Sequence, residues 1–374
     1  MGDIMPGIRP RQNKPLSLSR DQNPVTEQAS AADARQAALH HWLTAVLDRE
    51  VRAIAPASSD ASFRRYFRVE GPEGSLIVMD APPEHEDCRP FLAVAAMLAE
   101  IGVNVPRVLA QDLTRGFLLL TDLGNRRYLD ELNDDCVERL YGDAMAALAR
   151  LQAHGPRDGR LPPYDHAMLM REMALFPEWL LDRHLGLRLD AGQRQQLEAL
   201  RQQRDVLAES FELLARSALE QPRVMVHRDY HSRNLMIVDA DNPGVLDFQD
   251  AVVGPITYDL VSLLRDCYIA WPRERVEAWA LAYRHRPGVR ELVGAVDDAT
   301  WLRWFDWMGL QRHLKASGIF ARLWHRDGKP GYLPDVPRTL GYMVEVSGRY
   351  PELAGLHRLL VEQVVPGFER TPWP

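Results

Sequence analysis

The chain has 374 residues, 46% hydrophobic and 26% charged, enough for about two lobes around a sizeable core. Its net charge of −7 excludes the basic footprint of a nucleic-acid binder, and no stretch approaches the roughly 18 apolar residues of a membrane span. Three cysteines (Cys88, Cys136, Cys267) lack metal-like spacing and are too few for a disulfide framework, which fits a reducing cytoplasm.

Residues 1–30 are rich in Pro, Ser, Asn, Gln and charge, lack the apolar run of a signal peptide, and read as a disordered tail. Leu39, Trp42, Leu43, Val46 and Leu47 recur at helical spacing, predicting an amphipathic first helix from near Ala32. The aromatic, partly alternating stretch 63–69, a turn from Gly71 to Gly74 and the apolar run 76–79 predict a β-hairpin. A helix over 90–101 and a second hairpin ending in 117–120 follow, and residues 121–124 form a hinge. Beyond Leu129 the pattern is mainly helical, over 134–154, 166–185, 190–217, 256–283 and 293–318. Short apolar strands interrupt it at 224–226, 235–238 and 245–246, and Pro330 to Pro337 reads as a loop. The fold class is therefore α+β, with a small β-rich N-lobe (31–122) and a larger, mainly helical C-lobe (123–374).

The chemistry concentrates in HRDYHSRN at 227–234 and LDFQD at 246–250. Phosphoryl transfer from ATP needs a carboxylate to take the acceptor's proton and oxygen ligands to hold Mg²⁺ against the phosphates. Asp229, directly after a buried strand, is the candidate general base; Asn234 and Asp247 are the candidate metal ligands. A lone Asp229 would read as a helix cap. The three together, at these spacings, favour catalysis. Asp250 is placed either in the outer metal shell or at the substrate. His227 and Asp259 are expected to support the loop structurally, and His231 and Arg233 either touch ligand or are solvated.

These motifs, with Gly254-Pro255 and Tyr258-Asp259-Leu260 behind them, resemble the aminoglycoside phosphotransferase and choline kinase superfamily over roughly residues 35–370. The resemblance implies a protein-kinase-like fold that phosphorylates hydroxyls of small molecules. Three further stretches, LIVMDAPP at 76–83, GFLLLTDLG at 116–124 and GLQRHLK at 309–315, look like the bacterial anomeric kinases of N-acetylmuramate and N-acetylglucosamine. That narrower likeness implies transfer to the sugar's C1 hydroxyl in cell-wall recycling.

The sequence departs from the protein-kinase pattern in the small lobe. Met79 stands where a phosphate-gripping Lys is expected, and the helix 90–101 offers no facing acid before Glu100. No GxGxxG is present; the corresponding turn is Ser58-Ser59-Asp60-Ala61-Ser62. Ser59, Ser62 and Arg65, with Asp122 at the hinge, are the candidate nucleotide contacts, Arg64 and Arg68 being alternative sources of positive charge.

Residues 301–330 carry Arg303, Arg312, Lys315, Arg322, Arg326 and Lys329 against Asp306 and Asp327, interleaved with tryptophans 301, 304, 307 and 324. A pocket for polycationic aminoglycosides would be lined with carboxylates, so this segment suits a neutral or anionic sugar better. Trp301, Trp304 and Trp307 have the spacing of a buried helix face. Gln311, Arg312 and Lys315 are the candidate substrate contacts, with Glu172, Glu178 and Trp179 as an opposite wall. Other small hydroxyl substrates (an aminoglycoside, choline, homoserine) and a non-catalytic pseudokinase remain as alternatives.

Overall fold

The computed structural model describes residues 24–47, 51, 53–59, 63–71, 74–187 and 194–372. The first helix, α1 (Pro24–Val46), begins at Pro24, so residues 24–30 are helical rather than part of a disordered tail. The rest of that tail, residues 1–23, lies outside the described residues.

Five antiparallel strands follow: β1 (Ala53–Ser59), β2 (Arg65–Gly71), β3 (Gly74–Asp80), β4 (Val108–Asp112) and β5 (Phe117–Thr121), in the order β1-β2-β3-β5-β4. Helix α2 (Arg89–Glu100) is inserted between β3 and β4. Side chains alternate across the sheet as strand geometry requires. Val69, Val78, Phe117 and Leu119 pack under Leu39, Trp42 and Leu43 of α1. Met79, Leu118 and Leu120 point the other way, into the main core with Phe91, Val94, Ala95 and Leu98 of α2. Strand β1 was not foreseen, because AIAPASS carries neither alternation nor aromatic residues. It lies at a sheet edge, where a proline costs no ladder bond, and its register shifts between Pro56 and Ser58.

From Thr121 the chain passes through a hinge into α3 (Tyr128–Glu131), α4 (Val137–His154) and α5 (His166–Met173). A π-helical segment, Phe176–His184, occupies the second half of the helix expected over 166–185. After α6 (Arg194–Glu220), β6 (Arg223–Val226) pairs with β9 (Val252–Pro255), and β7 (Leu235–Met236) with β8 (Gly244–Val245). The two catalytic-type loops hang between these short strands.

The expected helix 256–283 is two helices, α7 (Tyr258–Leu264) and α8 (Arg273–Arg284), separated by a break that ends at Pro272. After α9 (Val289–Val293), α10 runs from Asp298 to His325 rather than over 293–318. Asp297 caps its start, accepting from the Thr300 N–H at 2.7 Å. Ser317-Gly318 does not end it, because both residues are packed inside the protein. The Pro330–Pro337 segment is a 3₁₀ turn (Pro330–Asp335) leading into α11 (Val336–Arg349), and α12 (Ala354–Leu359) and α13 (Val365–Arg370) complete the chain. Helix α10 is the C-lobe's central element. Trp301 and Trp307 are fully buried along it and Trp304 nearly so, which makes them core. Among the described residues no helix is long and apolar enough to cross a membrane.

Candidate active site

Strand β6 is buried through Val226 and delivers His227 to the cleft. There the chain turns sharply, with Arg228 at φ 79°, a left-handed conformation that costs a non-glycine residue about 1–3 kcal/mol. Asp259, in the first turn of α7 and wholly buried, holds the turn. It accepts the N–H groups of His227 (2.6 Å) and Arg228 (3.0 Å). Burial pushes Asp259 up to about 7 despite those two bonds. His227 is pulled down to about 4 by burial, so its ring is neutral; its Nδ1 accepts the Asp229 N–H at 3.2 Å. These two residues thus sit beneath Asp229 and fix its backbone.

Asp229 itself is partly exposed at the cleft floor. Burial raises its pKa, but Lys315, His231, Arg312 and Arg228 lower it further, and the net direction is down. At neutral pH it is a carboxylate ready to accept a proton.

Asn234 and Asp247 meet across the two loops. Asn234 Nδ2 donates to the Asp229 carbonyl at 3.0 Å and lies 3.4 Å from Asp247 Oδ2, while Gln249 Nε2 donates to Asp247 Oδ1 at 2.7 Å. The Leu246 N–H donates to the Asn234 carbonyl at 2.9 Å, joining the loops through backbone. Asp247 has φ 62°, and the next residue, Phe248, is buried against Phe91 of α2 with ring centroids 4.8 Å apart. Among the described residues no group of three His, Cys, Asp or Glu is arranged to hold a metal ion. An amide and a carboxylate on facing loops instead suit Mg²⁺, which takes one or two protein oxygens and completes its octahedron with water and phosphate.

Residues 53–305 match the phosphotransferase enzyme family. The chain belongs to that family. It is 50% identical over 310 residues to the N-acetylmuramate/N-acetylglucosamine kinase of Pseudomonas putida, covering 83% of this chain and 88% of that protein. It is 49% identical over 338 residues to the kinase of the same name from Pseudomonas aeruginosa, covering 88% and 96%. In fold it is similar to the choline kinase LicA of Streptococcus pneumoniae, with a TM-score of 0.57 at 11% identity, covering 83% of this chain and 99% of that one. The ADP-bound aminoglycoside phosphotransferase APH(2'')-Ib aligns with a TM-score of 0.53 at 15% identity, covering 82% and 97%. The chain is thus a phosphotransferase on a protein-kinase-like fold.

The expected substrate contacts of this phosphotransferase converge on Glu172, at the end of α5. Lys315 Nζ lies 3.1 Å from Glu172 Oε1 and donates to Tyr258 Oη at 3.0 Å. Arg228 and Tyr164 also donate to Glu172, and Gln311 Nε2 reaches both Tyr164 Oη (3.0 Å) and Glu172 Oε2 (3.4 Å). Burial raises the Glu172 pKa, yet Lys315 and Arg228 overcome it and hold the carboxylate ionised. Lys315 stays protonated: burial lowers its pKa, and Tyr258 and Glu172 more than restore it.

Arg312 is different. It is buried, its Nη1 lies 3.6 Å from Cys267 Sγ, and among the described residues it forms no ion pair. Arg233 is sandwiched between the rings of Tyr268 (3.9 Å) and Tyr332 (5.5 Å). Asp266 pins the segment between them, accepting from Ser232 N (3.0 Å), Ser232 Oγ (2.5 Å) and Tyr268 N (3.0 Å). Arg228 and Tyr258 lie inside motifs already visible in the sequence, but Asp266 had no signal, because the pattern there read as uninterrupted helix. Asp250 is exposed, and only its carbonyl is near Arg228 Nη1, at 3.4 Å.

Two of the residues expected to contact the nucleotide, Arg65 and Asp122, have partners within the protein. Arg65 pairs with Asp80, its cross-strand neighbour, through Nε at 3.0 Å, and Arg35 of α1 grips the other oxygen of the same buried carboxylate at 2.7 Å. Its charge is committed to holding α1, β2 and β3 together. The Asp122 carboxylate is likewise occupied by Arg68 Nε (2.6 Å) and the Gly124 N–H (2.8 Å), bracing the hinge. Burial raises its pKa, but Arg68, Ser75 and Gly124 bring it below the ordinary value. Ser59 ends β1, and Ser62 lies outside the described residues. A cleft of about 420 Å³ runs along the hinge between residues 122–126 and 237–240; it contains neither Asp229 nor Asp247.

Proposed function

We propose that the chain transfers the γ-phosphoryl group of ATP, with Mg²⁺, to the C1 hydroxyl of N-acetylmuramate and N-acetylglucosamine. The N-lobe (31–122) and the hinge would hold the nucleotide, and the C-lobe (123–374) the sugar. The observation that carries the reading is the likeness to kinases named for these two sugars, 49–50% identical over more than four-fifths of the chain. The site supports it chemically. Asp229, kept ionised by surrounding cations, accepts the proton of the hydroxyl as its oxygen attacks the γ-phosphorus and ADP leaves. Mg²⁺ bound by Asn234 and Asp247 would supply charge neutralisation for the phosphates. Arg312, buried without a carboxylate ion pair among the described residues, suits the lactyl carboxylate of N-acetylmuramate and opposes cationic substrates. Three unpaired cysteines agree with work in the cytoplasm.

The test is ADP release with Mg-ATP and a panel of N-acetylmuramate, N-acetylglucosamine, kanamycin, choline and homoserine. Turnover is expected on the two amino sugars, absent with a 1-O-methyl sugar, and reduced by about 10³-fold or more in Asp229→Asn. Turnover on kanamycin, choline or homoserine instead of the amino sugars would sink the substrate assignment. ATP binding with silence on every acceptor would leave a nucleotide-binding module.

A further inference from the structure

A kinase-like site needs a fixed cation over the nucleotide's phosphates, normally a small-lobe lysine oriented by an acid. This chain has no lysine between Lys14 and Lys315, and Met79 on β3 is wholly buried in the core. An arginine must therefore serve. The described small-lobe arginines are mostly committed elsewhere: Arg35 and Arg65 to Asp80, Arg68 to Asp122, Arg89 to Asp87 and Arg115 to Asp112.

Arg64 stands apart. It immediately precedes β2, and in sequence it follows the turn 58–62 that corresponds to the missing GxGxxG. Its Nε lies 3.1 Å from Glu86 Oε2, and both side chains are largely buried, 12% and 14% exposed. Glu86 also accepts the Phe63 N–H at 3.2 Å, so one carboxylate fixes both the guanidinium and the backbone that carries it. The brace is itself anchored: the Glu86 N–H donates to the Pro82 carbonyl at 2.9 Å, and Phe63 stacks on His85 with centroids 4.6 Å apart. Burial opposes the charge on Arg64, but Tyr66, Glu86 and, last in size, Asp247 favour it, and the guanidinium stays ionised.

We propose that Arg64, oriented by Glu86, is the cation that grips the nucleotide phosphates in place of the small-lobe lysine. Glu86 lies in the loop ahead of α2 rather than on the helix, so both halves of the usual pair are replaced from new positions. A guanidinium can contact two phosphate oxygens at once, where an ammonium contacts them as a point charge. The inference rests on the ATP-dependent reading above.

Calorimetric titration of the full-length protein with Mg-ATP and with adenosine tests it, alongside steady-state kinetics on N-acetylglucosamine. Arg64→Met should weaken Mg-ATP binding roughly 10- to 100-fold, the size of a lost charge-assisted contact, and leave adenosine affinity within about twofold. Arg64→Lys should recover part of the loss, and Glu86→Gln should shift ATP affinity in the same direction by less. Folded Arg64→Met, by near-ultraviolet circular dichroism, binding Mg-ATP within about threefold of the native protein would overturn the proposal. If Arg64→Met does not fold, Arg64→Lys and Glu86→Gln decide: native-like ATP affinity in both overturns it equally. A native protein that binds no Mg-ATP would fail the parent reading, a result distinct from a native protein that binds and variants that do not differ.

Discussion

At the scale of single residues, the carboxylates of the candidate site are driven in opposite directions by their surroundings. Asp229 and Glu172 are held ionised by neighbouring cations, whereas Asp259 is pushed up to about 7 by burial and the nearby Asp229, which outweigh its two N–H donors and Arg312. For Asp259 the folded pKa exceeds the unfolded value of about 3.9, so the folded state binds this proton more tightly. Its stabilising contribution is complete below about pH 4 and declines as pH rises through 7. Asp259→Asn should remove that slope: the stability difference between native and variant, from urea titrations at pH 4.5 and 7.5, should shrink or reverse towards the higher pH. The amide offers one acceptor oxygen where two N–H groups converge, leaving one unsatisfied at a cost of about 1–3 kcal/mol. A kcat lowered roughly 10- to 100-fold with unchanged ATP affinity is expected; an unchanged kcat would remove Asp259 from loop positioning.

At the scale of elements, packing sets signs that local propensity gets wrong. Gly318 lies in the middle of α10, where alanine would normally be favoured by about 1 kcal/mol. A Cβ there would sit 2.4 Å from the Leu175 carbonyl and 2.7 Å from the Phe176 N, backbone atoms at the entry to the π-helical segment that cannot move aside independently. Gly318→Ala should destabilise by about 1–3 kcal/mol in urea unfolding. Gly341, exposed on α11 with nothing within 4 Å of the same position, should show the opposite sign, a gain of about 0.5–1 kcal/mol. Two losses, or two gains, would contradict this account of α10. The same close approach lets the helix expected over 293–318 continue through Gly318 to His325. A glycine that admits a neighbouring backbone and a glycine that stops a helix look alike in one dimension.

At the scale of the whole molecule, the C-lobe is built around α10, and the family match ends inside that helix, at residue 305. Gln311, Arg312 and Lys315 lie beyond it, as do core residues Leu310, Leu314, Met343 and Leu360. A chain ending at Phe305 should therefore lack a cooperative thermal transition and near-ultraviolet dichroism, not merely lose activity. A truncated protein that melts cooperatively would show that α10 to α13 are dispensable for the fold.

The sequence by itself determined the phosphotransferase class, because the proposed base Asp229 and the proposed metal ligands Asn234 and Asp247 lie within nineteen residues on two short loops. It also determined the hairpins of the small lobe and most helices, whose burial patterns are periodic along the chain. Only the tertiary structure decided where each charge is spent. Arg64, Arg65 and Arg68 are equivalent as letters, but their partners, Glu86, Asp80 and Asp122, lie 22, 15 and 54 residues away. Likewise Glu172, Arg228 and Lys315 meet only because α5, the catalytic loop and α10 fold onto one another. The HRDYHSRN loop is legible because its chemistry is local, and the grip around it is not, because ion pairs are chosen by proximity in space.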